Sequence, residues 1–400
     1  MVLRLLHAAE GLLDVPLSGL DAVPRDALDL VAQATLIAWD RVVDAAVTHD
    51  VEAVLLTGNT FDAAAGSLPA DVALRQGCER LAEKQIPLFI TPGPLDPIEA
   101  WEDIPALPDN VTLFRSARED AVELTDRGRT ICLLQPLGPW SEPDRKTPAS
   151  SRPFSAGLWW EEADTPPALH PLASLPDIIC CRHDAVTTGW LKPDAPLHRQ
   201  SSPQGMTAAQ TGPRGATLIE VDPQRRFTKR LLPLAPVRRE RLTARLEAVR
   251  HRDDLCDQML AVIEELPVVP GEQLRLIEWV FTGSPDAFHR LEFHDAAARE
   301  LTDMMNQITD QPGKLRYIHQ PAPLWQGAVD PAHMTDLWRE YLDVLGQRPT
   351  VDDGELRRLA SELRPEAAAS GPWERGLQAL DPAHVADRAR KYGRRWFAGV

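Results

Sequence analysis

Short apolar runs alternate with longer amphipathic stretches in the first part of the chain. Residues 2–6 and 51–57 are apolar and predict buried strands, whereas residues 25–49 carry apolar side chains at helical spacing and predict one long helix. Residues 70–85 predict a second helix, and residues 86–91 predict a third strand that ends in a proline-rich turn. This order of elements predicts a parallel or mixed sheet with helices on its faces.

Further apolar runs predict strands in a region where helical patterns become rare. These runs are residues 111–114, 122–124, 130–134, 156–160, 177–181, 217–221 and 227–232. Proline-rich loops at 139–153 and 193–213 interrupt the series. The first three runs continue the first series of strands and helices, and a second sheet packed on the first is the simplest account of the four runs after residue 153.

The composition changes at the proline-rich residues 233–236. The next segments are an arginine-rich stretch, a predicted helix, a β-rich run and a largely helical stretch, at residues 238–252, 253–266, 273–282 and 286–309. We therefore predict a first domain at residues 1–235, a smaller α+β domain at 236–330 and a helical tail at 331–400.

Charge and cysteine content exclude several classes of protein. A net charge of −16 excludes a uniformly basic nucleic-acid-binding protein, although local basic patches could still contact phosphates. The five cysteines lack C-x-x-C spacing, so we predict neither a structural zinc site nor a disulfide framework. No apolar run reaches the roughly 18 residues of a membrane helix, and the first run is too short for a signal sequence. We expect a cytoplasmic protein without a membrane partner.

Five sequence motifs lie at the ends of predicted strands. They are LHAAEGLLDVPLSGL at 6–20, GNTFD at 58–62, GPLD at 93–96, RHDA at 182–185, and PQG at 203–205 followed by TGPRGATLIEV at 211–221. In this order they resemble the motifs of bacterial SbcD-type and YhaO-type DNA repair exonucleases, which belong to the calcineurin-like metallophosphoesterase superfamily. The resemblance is good over residues 1–235 and weak beyond them.

The resemblance implies a fold and a set of partners. The implied fold class is α/β: a four-layer α/β/β/α sandwich, followed by a smaller α+β capping domain and a helical tail. Members of this family form dimers, process DNA ends, and use C-terminal helices to grip the coiled-coil base of an SbcC-type ATPase. The expected partners are therefore an SbcC-like ATPase subunit, DNA and a second copy of the chain.

The family's metal-ligand positions are poorly retained here. In the resembled motifs, D-x-H supplies ligands for the first metal ion, and the Asp of G-D-x-x-D bridges both ions. Glu10 and Leu12 stand at the first pair of positions, and Asn59 replaces the bridging Asp. Two metal ions about 3.5–4 Å apart need anionic ligands between them, and a neutral amide supplies no charge.

The remaining motifs also lack most of the family's metal ligands. Pro94 and Leu95 stand where the family motif G-N-H-D has its Asn ligand and its His. A further family histidine corresponds to Trp160 here, and only His183 remains of the two histidines in G-H-x-H. Arg182 adds a fixed positive charge where a metal cation should lie.

The resemblance and the departures together imply a vestigial site. It would contain Glu10, Asn59, Asp62, Asp96 and His183, with no catalytic residue, no cofactor and no bound metal ion. One alternative is a rewired site in which Glu10, Asn59 and His183 hold manganese or another divalent cation. Another is that all five residues only stabilise loops through hydrogen bonds, as Asp side chains do in turns.

Four other features each have two or more interpretations. His183 and Asp184 could be a catalytic pair, or His183 could be a lone loop histidine. The tryptophans at 159–160 could stack on bases or pack in the core. Residues 238–252 could bind DNA phosphates or form a solvated face. The cationic and aromatic residues at 386–397 could dock on a partner, bind DNA or fold back on the chain.

Three functional hypotheses follow from these observations. The first is a degenerate exonuclease homologue, with absent or very weak hydrolysis, that serves an SbcC-like ATPase as a scaffold or DNA-binding subunit. The second is an active metal-dependent exonuclease or phosphodiesterase with an unusual ligand set. The third is a protein-interaction subunit that has no role on DNA.

Overall fold

The computed structural model describes residues 2–20, 23–104, 107–117, 119–138, 153–159, 175–183, 196–311 and 314–322. The strands in these residues are β1 Leu3–Ala9, β2 Ala53–Thr57, β3 Leu88–Thr91, β4 Val111–Leu113, β5 Val122–Asp126, β6 Arg129–Leu137, β7 Phe154–Trp159, β8 Ile178–Arg182, β9 Leu197–Gln200, β10 Gly215–Val221, β11 Phe227–Pro233, β12 Val237–Arg245, β13 Leu274–Thr282 and β14 Arg316–Pro321. The α-helices are α1 Leu28–Ala32, α2 Ala34–Thr48, α3 Leu68–Glu83, α4 Ile98–Glu102, α5 Asp253–Glu264, α6 Pro285–Arg290 and α7 Asp295–Thr309.

The first sheet has six strands in the order β11-β10-β1-β2-β3-β4. Strands β1 to β4 are parallel, and β10 and β11 run antiparallel to their neighbours. Ala9 pairs with Thr57, and Thr57 with Thr91, so the carboxyl ends of β1, β2 and β3 meet at one edge. One outer strand, β11, exposes Lys229 and Arg230, and the other outer strand, β4, is only three residues long.

The second sheet has five strands in the order β5-β6-β7-β8-β9. Strands β6 to β9 are parallel, and β5 pairs antiparallel with β6. Parallel neighbours need crossover connections. The segments 139–152, 160–174 and 184–195, which make these connections, lie outside the described residues.

Apolar side chains join these sheets and helices into layers. Trp39 and Val42 of α2 and Leu74 of α3 pack on the outer face of the six-stranded sheet. Between the sheets, residues such as Leu5 and Leu134 form a second core. The predicted α/β class is thus confirmed. A fourth, helical layer on the other side of the five-stranded sheet stays a prediction.

The structure differs from the sequence prediction in the first helical region. One helix over residues 25–49 was expected, but a 3₁₀ turn and α1 precede α2, with a break at Gln33. The break allows Thr35, in the first turn of α2, to accept a hydrogen bond from the Asp14 N–H at 3.0 Å. Strands β9 and β14 and the short helix α4 are further elements that the hydrophobic pattern did not predict.

Residue contacts divide the chain into two compact units. Unit 1 comprises Met1–Glu240, Val268–Leu276 and Pro312–Ile318, and unit 2 comprises Arg241–Pro267, Ile277–Gln311 and His319–Val400. A three-stranded sheet has the order β12-β13-β14. The predicted domain borders at 235 and 330 stay a prediction.

Within unit 2, helices α5 and α7 present apolar faces to a small core. Leu255, Met259, Leu301 and Met305 are buried on these helices. The rings of Phe281 and Phe293 pack with centroids 4.7 Å apart. The predicted helical stretch at 286–309 is two helices, α6 and α7, separated where Glu292 adopts a left-handed conformation at φ 48°.

The structure gives two observations on membrane-spanning helices and on the cysteines. In the described part of the chain, no helix is both long and apolar enough to cross a membrane. All five cysteines are buried and unpaired with one another, as expected of small apolar core residues.

Candidate active site

The core between the two sheets is apolar at one end and polar at the other. Alternate residues of a strand face the same side. Strand β1 therefore directs Leu3, Leu5 and then His7 into this core, and β8 directs Ile178, Cys180 and then Arg182. The polar residues lie at the carboxyl ends of these parallel strands, where open α/β sheets place their ligand sites.

We call this region the polar end. It consists of the inward-facing residues His7, Thr57, Thr91, Arg182, His198, Gln200 and Thr217. Among these residues, only Arg182 was predicted from the sequence to affect the site. His7 could have been noticed, because it interrupts an otherwise apolar strand.

The buried His7 and the partly buried His198 form an imidazole pair, which we call the histidine pair. Their ring centroids are 5.2 Å apart in an edge-to-face arrangement. His7 Nε2 lies 2.9 Å from Thr57 Oγ1, and His7 Nδ1 and His198 Nε2 have no hydrogen-bond partner in the described structure. Burial lowers the pKa of His198 to about 4 and holds the pKa of His7 well below its usual value. Both rings are therefore neutral at physiological pH.

A second set of polar contacts ties β9 to β10. Thr217 Oγ1 donates to Gln200 Oε1 at 2.6 Å, and Gln200 Nε2 donates to the Gly215 carbonyl at 2.7 Å. Gln204 of the PQG motif is also fully buried, and its amide donates to the Val237 carbonyl at 2.7 Å. The side-chain amides of Gln200 and Gln204 therefore form hydrogen bonds with backbone carbonyl groups and are not available to a substrate.

Asp96 is fully buried and organises the loops after β2 and β3. Its carboxylate accepts hydrogen bonds from the N–H groups of Asn59, Thr60 and Gly93 at 2.8, 2.8 and 2.6 Å. We call these four residues the Asp96 cluster. Burial raises the pKa of Asp96 to about 7, and the N–H donors oppose that rise. Because both oxygens already accept backbone donors, Asp96 stabilises loops and is not available as a ligand.

Asn59, which the motif resemblance aligned with a bridging carboxylate, lies in the loop that follows β2. It adopts a left-handed conformation at φ 54°, which Asn tolerates better than most residues. Its Oδ1 accepts a hydrogen bond from the Leu95 N–H at 3.0 Å. A Cβ on Gly93 would lie 2.6 Å from both the Asn59 nitrogen and Oδ1, so only glycine fits there.

Glu10 lies where strand β1 ends, beside two arginines. Arg182 Nη1 is 3.6 Å from Glu10 Oε1, and the two side chains are only 11% and 10% exposed. Burial lowers the pKa of Arg214, and the Glu10 carboxylate opposes that shift. Arg214 also donates to Ser201 Oγ at 2.6 Å. Among the described residues, the Glu10 carboxylate therefore pairs with the Arg182 guanidinium group and also interacts electrostatically with Arg214.

The other predicted site residues do not join this group. The Asp62 carboxylate accepts from the Ala64 N–H at 3.0 Å and caps a 3₁₀ turn. His183 is exposed at the end of β8, where its carbonyl accepts from Arg199 Nη1 at 2.9 Å. Asp184, its suggested catalytic partner, lies outside the described residues.

Two of the remaining hypotheses involve residues that the structure describes. Trp159 is buried and packs with Leu137 and Ile179, which favours core packing over base stacking. Arg238 and Arg239 of the arginine-rich stretch are also buried. Arg238 pairs with Glu240, and Arg239 donates to the Ser18 carbonyl at 2.6 Å. Trp160 and residues 386–397 lie outside the described part.

These residues do not fit a pair of divalent cations. Such a pair needs several carboxylate or imidazole ligands that converge on open positions. The carboxylate of Asp96 and the amide oxygen of Asn59 accept backbone donors, and Glu10 faces arginines. Among the described residues, no group of three or more His, Cys, Asp or Glu side chains could hold a metal ion.

Part of the chain is similar in sequence to a known protein. No protein-family model matches the sequence. The chain is 33% identical over 133 residues to the uncharacterized metallophosphoesterase YhaO of Bacillus subtilis (strain 168). Over those residues the chain is similar to a metallophosphoesterase. The predicted resemblance to this superfamily is thereby confirmed for that stretch, whereas the degeneracy of the motifs stays an interpretation.

The extent of these likenesses is limited. The match to metallophosphoesterase YhaO covers 33% of this chain and 32% of that protein, so the chain matches about a third of its relative's length. A crystal structure of TT1561 from Thermus thermophilus is 12% identical, with coverage of 57% of this chain and 99% of that one, at a TM-score of 0.30. A TM-score of this size supports no inference about fold.

Proposed function

We propose that this chain is a non-hydrolytic relative of the metallophosphoesterases that acts as a scaffold or DNA-binding subunit. The supporting observation is the side-chain set at the strand ends, where one glutamate meets two arginines and the neighbouring Asp96 is used by loop N–H groups. A related metallophosphoesterase would place metal ions there. The scaffold is kept for binding, and the hydrolytic step is absent.

The chemistry of phosphodiester hydrolysis supports this proposal. In two-metal sites the ions generate the nucleophilic hydroxide and stabilise both the attacking and the leaving oxygen. A guanidinium group can bind a phosphate oxygen but cannot lower the pKa of a coordinated water in that way. His7 and Thr57 could form a base and nucleophile pair by distance, but both are completely buried and cannot meet a substrate.

The proposed partners are those that the family resemblance implies. They are an SbcC-like coiled-coil ATPase subunit, DNA and a second copy of the chain, in the cytoplasm. DNA contact would use local arginines, because the chain as a whole carries a charge of −16. The buried Arg238 and Arg239 are not available for such contacts, so the surface arginines would have to supply them.

Elemental analysis and nuclease assays test the absence of hydrolysis. Full-length protein is dialysed against manganese, and bound metal and cleavage of single- and double-stranded DNA are measured. We expect no stoichiometric manganese and no cleavage above that of Glu10→Gln protein. Bound manganese at one or two ions per chain, with cleavage that Glu10→Gln abolishes, would overturn the proposal and favour a rewired active site.

A back-substituted variant provides the matched control. Glu10→Asp, Leu12→His, Asn59→Asp and Arg182→Gly together restore family residues at four motif positions. We expect this variant to bind more manganese than the natural chain, because it gains carboxylates and loses a competing cation. Salt-dependent gel shifts with DNA then separate a DNA-binding subunit, whose affinity falls steeply with salt, from a pure protein-interaction subunit.

A further inference from the structure

A guanidinium group lies between the strand ends that carry metal ligands in the resembled family. Glu10 follows β1, Gly58 and Asn59 follow β2, and Arg182 ends β8. We propose that Arg182 is a tethered cation, which cross-links these strand ends as bound metal ions do in metal-dependent proteins. This inference rests on the proposed function, because it requires that no metal ion takes the same position.

Strand geometry fixes the direction of the Arg182 side chain. Ile178 and Cys180 lie in the core between the sheets, so Arg182, two residues further along β8, faces the same side. Its Cδ lies 3.1 Å from the position of a Cβ on Gly58, which has φ +62°. The aliphatic part of Arg182 therefore packs on the Gly58 backbone. A larger residue at position 58 would push the guanidinium group away from Glu10.

Burial makes the charge of Arg182 necessary. The Glu10 side chain is only 10% exposed, and a carboxylate so far removed from water needs a compensating cation. A guanidinium group keeps its proton at any ordinary pH, so the compensation is permanent. Arg214 provides a second cation that interacts with Glu10. The carboxylate thus interacts with two fixed positive charges, of which Arg182 forms the ion pair.

A tethered cation has consequences that a metal ion lacks. It cannot dissociate, so chelators and metal depletion should leave the loops intact. It also has no open coordination position for a water molecule, so it gives no nucleophile. The same side chain would thus preserve the metal-bound arrangement of the loops and prevent the metal-dependent reaction.

Chemical rescue tests this inference in the full-length protein. Arg182→Ala removes the cation and leaves a cavity of its shape beside Glu10. We expect its melting temperature to fall by about 8 °C, because the buried Glu10 carboxylate loses the guanidinium group paired with it at 3.6 Å, although Arg214 still interacts with it. Free guanidinium at low millimolar concentration should recover part of this loss, and sodium or tetramethylammonium at equal concentration should not. The control Arg226→Ala removes an exposed ion pair with Asp222 and should change neither quantity.

A second variant keeps the test decisive if Arg182→Ala fails to fold. Glu10→Gln combined with Arg182→Met removes both charges but preserves volume, and we expect it to melt close to the natural chain. Failure of this double variant to fold, or an Arg182→Ala melting temperature equal to that of the natural chain, would overturn the tethered cation. Neither result alters the proposed function, which fails only if the natural chain binds manganese and cleaves DNA.

Discussion

The Asp96 cluster and the histidine pair lie near the same strand ends of unit 1, but they satisfy their polar atoms differently. Both oxygens of Asp96 accept hydrogen bonds from backbone N–H groups. In the histidine pair, His7 Nδ1 and His198 Nε2 lack partners within the described structure. Three backbone donors offset the cost of burying the Asp96 carboxylate, whereas each imidazole leaves one ring nitrogen without a partner and is tolerated only while it is neutral. Burial therefore penalises the ionised form in both clusters, but the surrounding hydrogen bonds offset this penalty only at Asp96.

The largest expected effect comes from breaking the Asp96 cluster. Asp96→Asn replaces one acceptor oxygen by an NH₂ group that would face backbone N–H donors. We expect a loss of about 4 kcal/mol in unfolding free energy, measured by urea denaturation. Asp254→Asn is the matched control, because Asp254 accepts from the N–H groups of Arg250 and His251 but is exposed. A comparable loss in both variants would show that burial does not distinguish the cluster.

The histidine pair predicts instability in acid. The pKa of His198 is lowered to about 4. Between pH 6.5 and pH 4, His198 is therefore protonated in the unfolded chain but neutral in the folded chain. The contribution of neutral His198 to the free energy of unfolding is complete above pH 6.5. It falls by about 1.4 kcal/mol per pH unit below pH 6.5, which amounts to a loss of about 3 kcal/mol near pH 4.

A variant is needed to isolate this effect, because Asp96 acts in the opposite direction. Its pKa is raised to about 7, so protonation of Asp96 favours the folded chain as pH falls from 7 toward 3.8. Comparing the natural chain with His198→Leu by urea denaturation at several pH values cancels the Asp96 contribution. Identical pH profiles for the two proteins would refute the conditional role of the pair.

Gly93→Ala should weaken the Asp96 cluster by a steric route. Its Cβ would lie 2.6 Å from both the nitrogen and Oδ1 of Asn59, so the loops must separate. We expect a loss of about 2 kcal/mol in unfolding free energy. Gly66→Ala is the control, because position 66 has open space and incurs only the cost of its left-handed conformation, about 1 kcal/mol. Equal losses would remove the steric explanation.

The smallest expected effect concerns Thr57, the hydrogen-bond partner of His7 in the described structure. Thr57→Val removes the hydroxyl 2.9 Å from His7 Nε2 and should cost about 1 kcal/mol in thermal or urea unfolding. Thr91→Val is a close control, because Thr91 pairs in register with Thr57 on the next strand but makes only a 3.5 Å contact with the Trp159 carbonyl. If Thr91→Val is the more destabilising change, the Thr57 contact is unimportant.

Much of the fold could be predicted from the sequence, because its buried strands are continuous apolar runs. Strand β2 is wholly buried and apolar except for its last residue, and α3 has regular amphipathic spacing. Strand β9 could not be predicted this way. Its inward-facing residues are His198 and Gln200, which are polar because they belong to the polar end. A strand that lines a polar site has polar residues on its inward face, so it lacks the apolar pattern that predicts a buried strand.

The candidate site was only partly predictable for a similar reason. Motif resemblance located Glu10, Asn59 and Asp96 at strand ends, where the structure has them. The sequence could not reveal that the Asp96 oxygens are used by three backbone N–H groups. Nor could it reveal that Arg214 interacts electrostatically with Glu10, because that proximity depends on how β10 pairs beside β1. Such contacts are set by tertiary structure and leave no local pattern.

The outer strands of the six-stranded sheet have a consequence for behaviour at high concentration. A free strand edge offers unpaired N–H and C=O groups to any other chain, and long flat apolar edges promote aggregation. Here β11 exposes Lys229 and Arg230 and ends at Pro233, while β4 is three residues long. Pairing of two chains through β11 would bring like charges together. Pairing through β4 would form few backbone hydrogen bonds, because that strand is short. Replacing Lys229 and Arg230 by valine should therefore lower the concentration at which the protein precipitates, without weakening its fold.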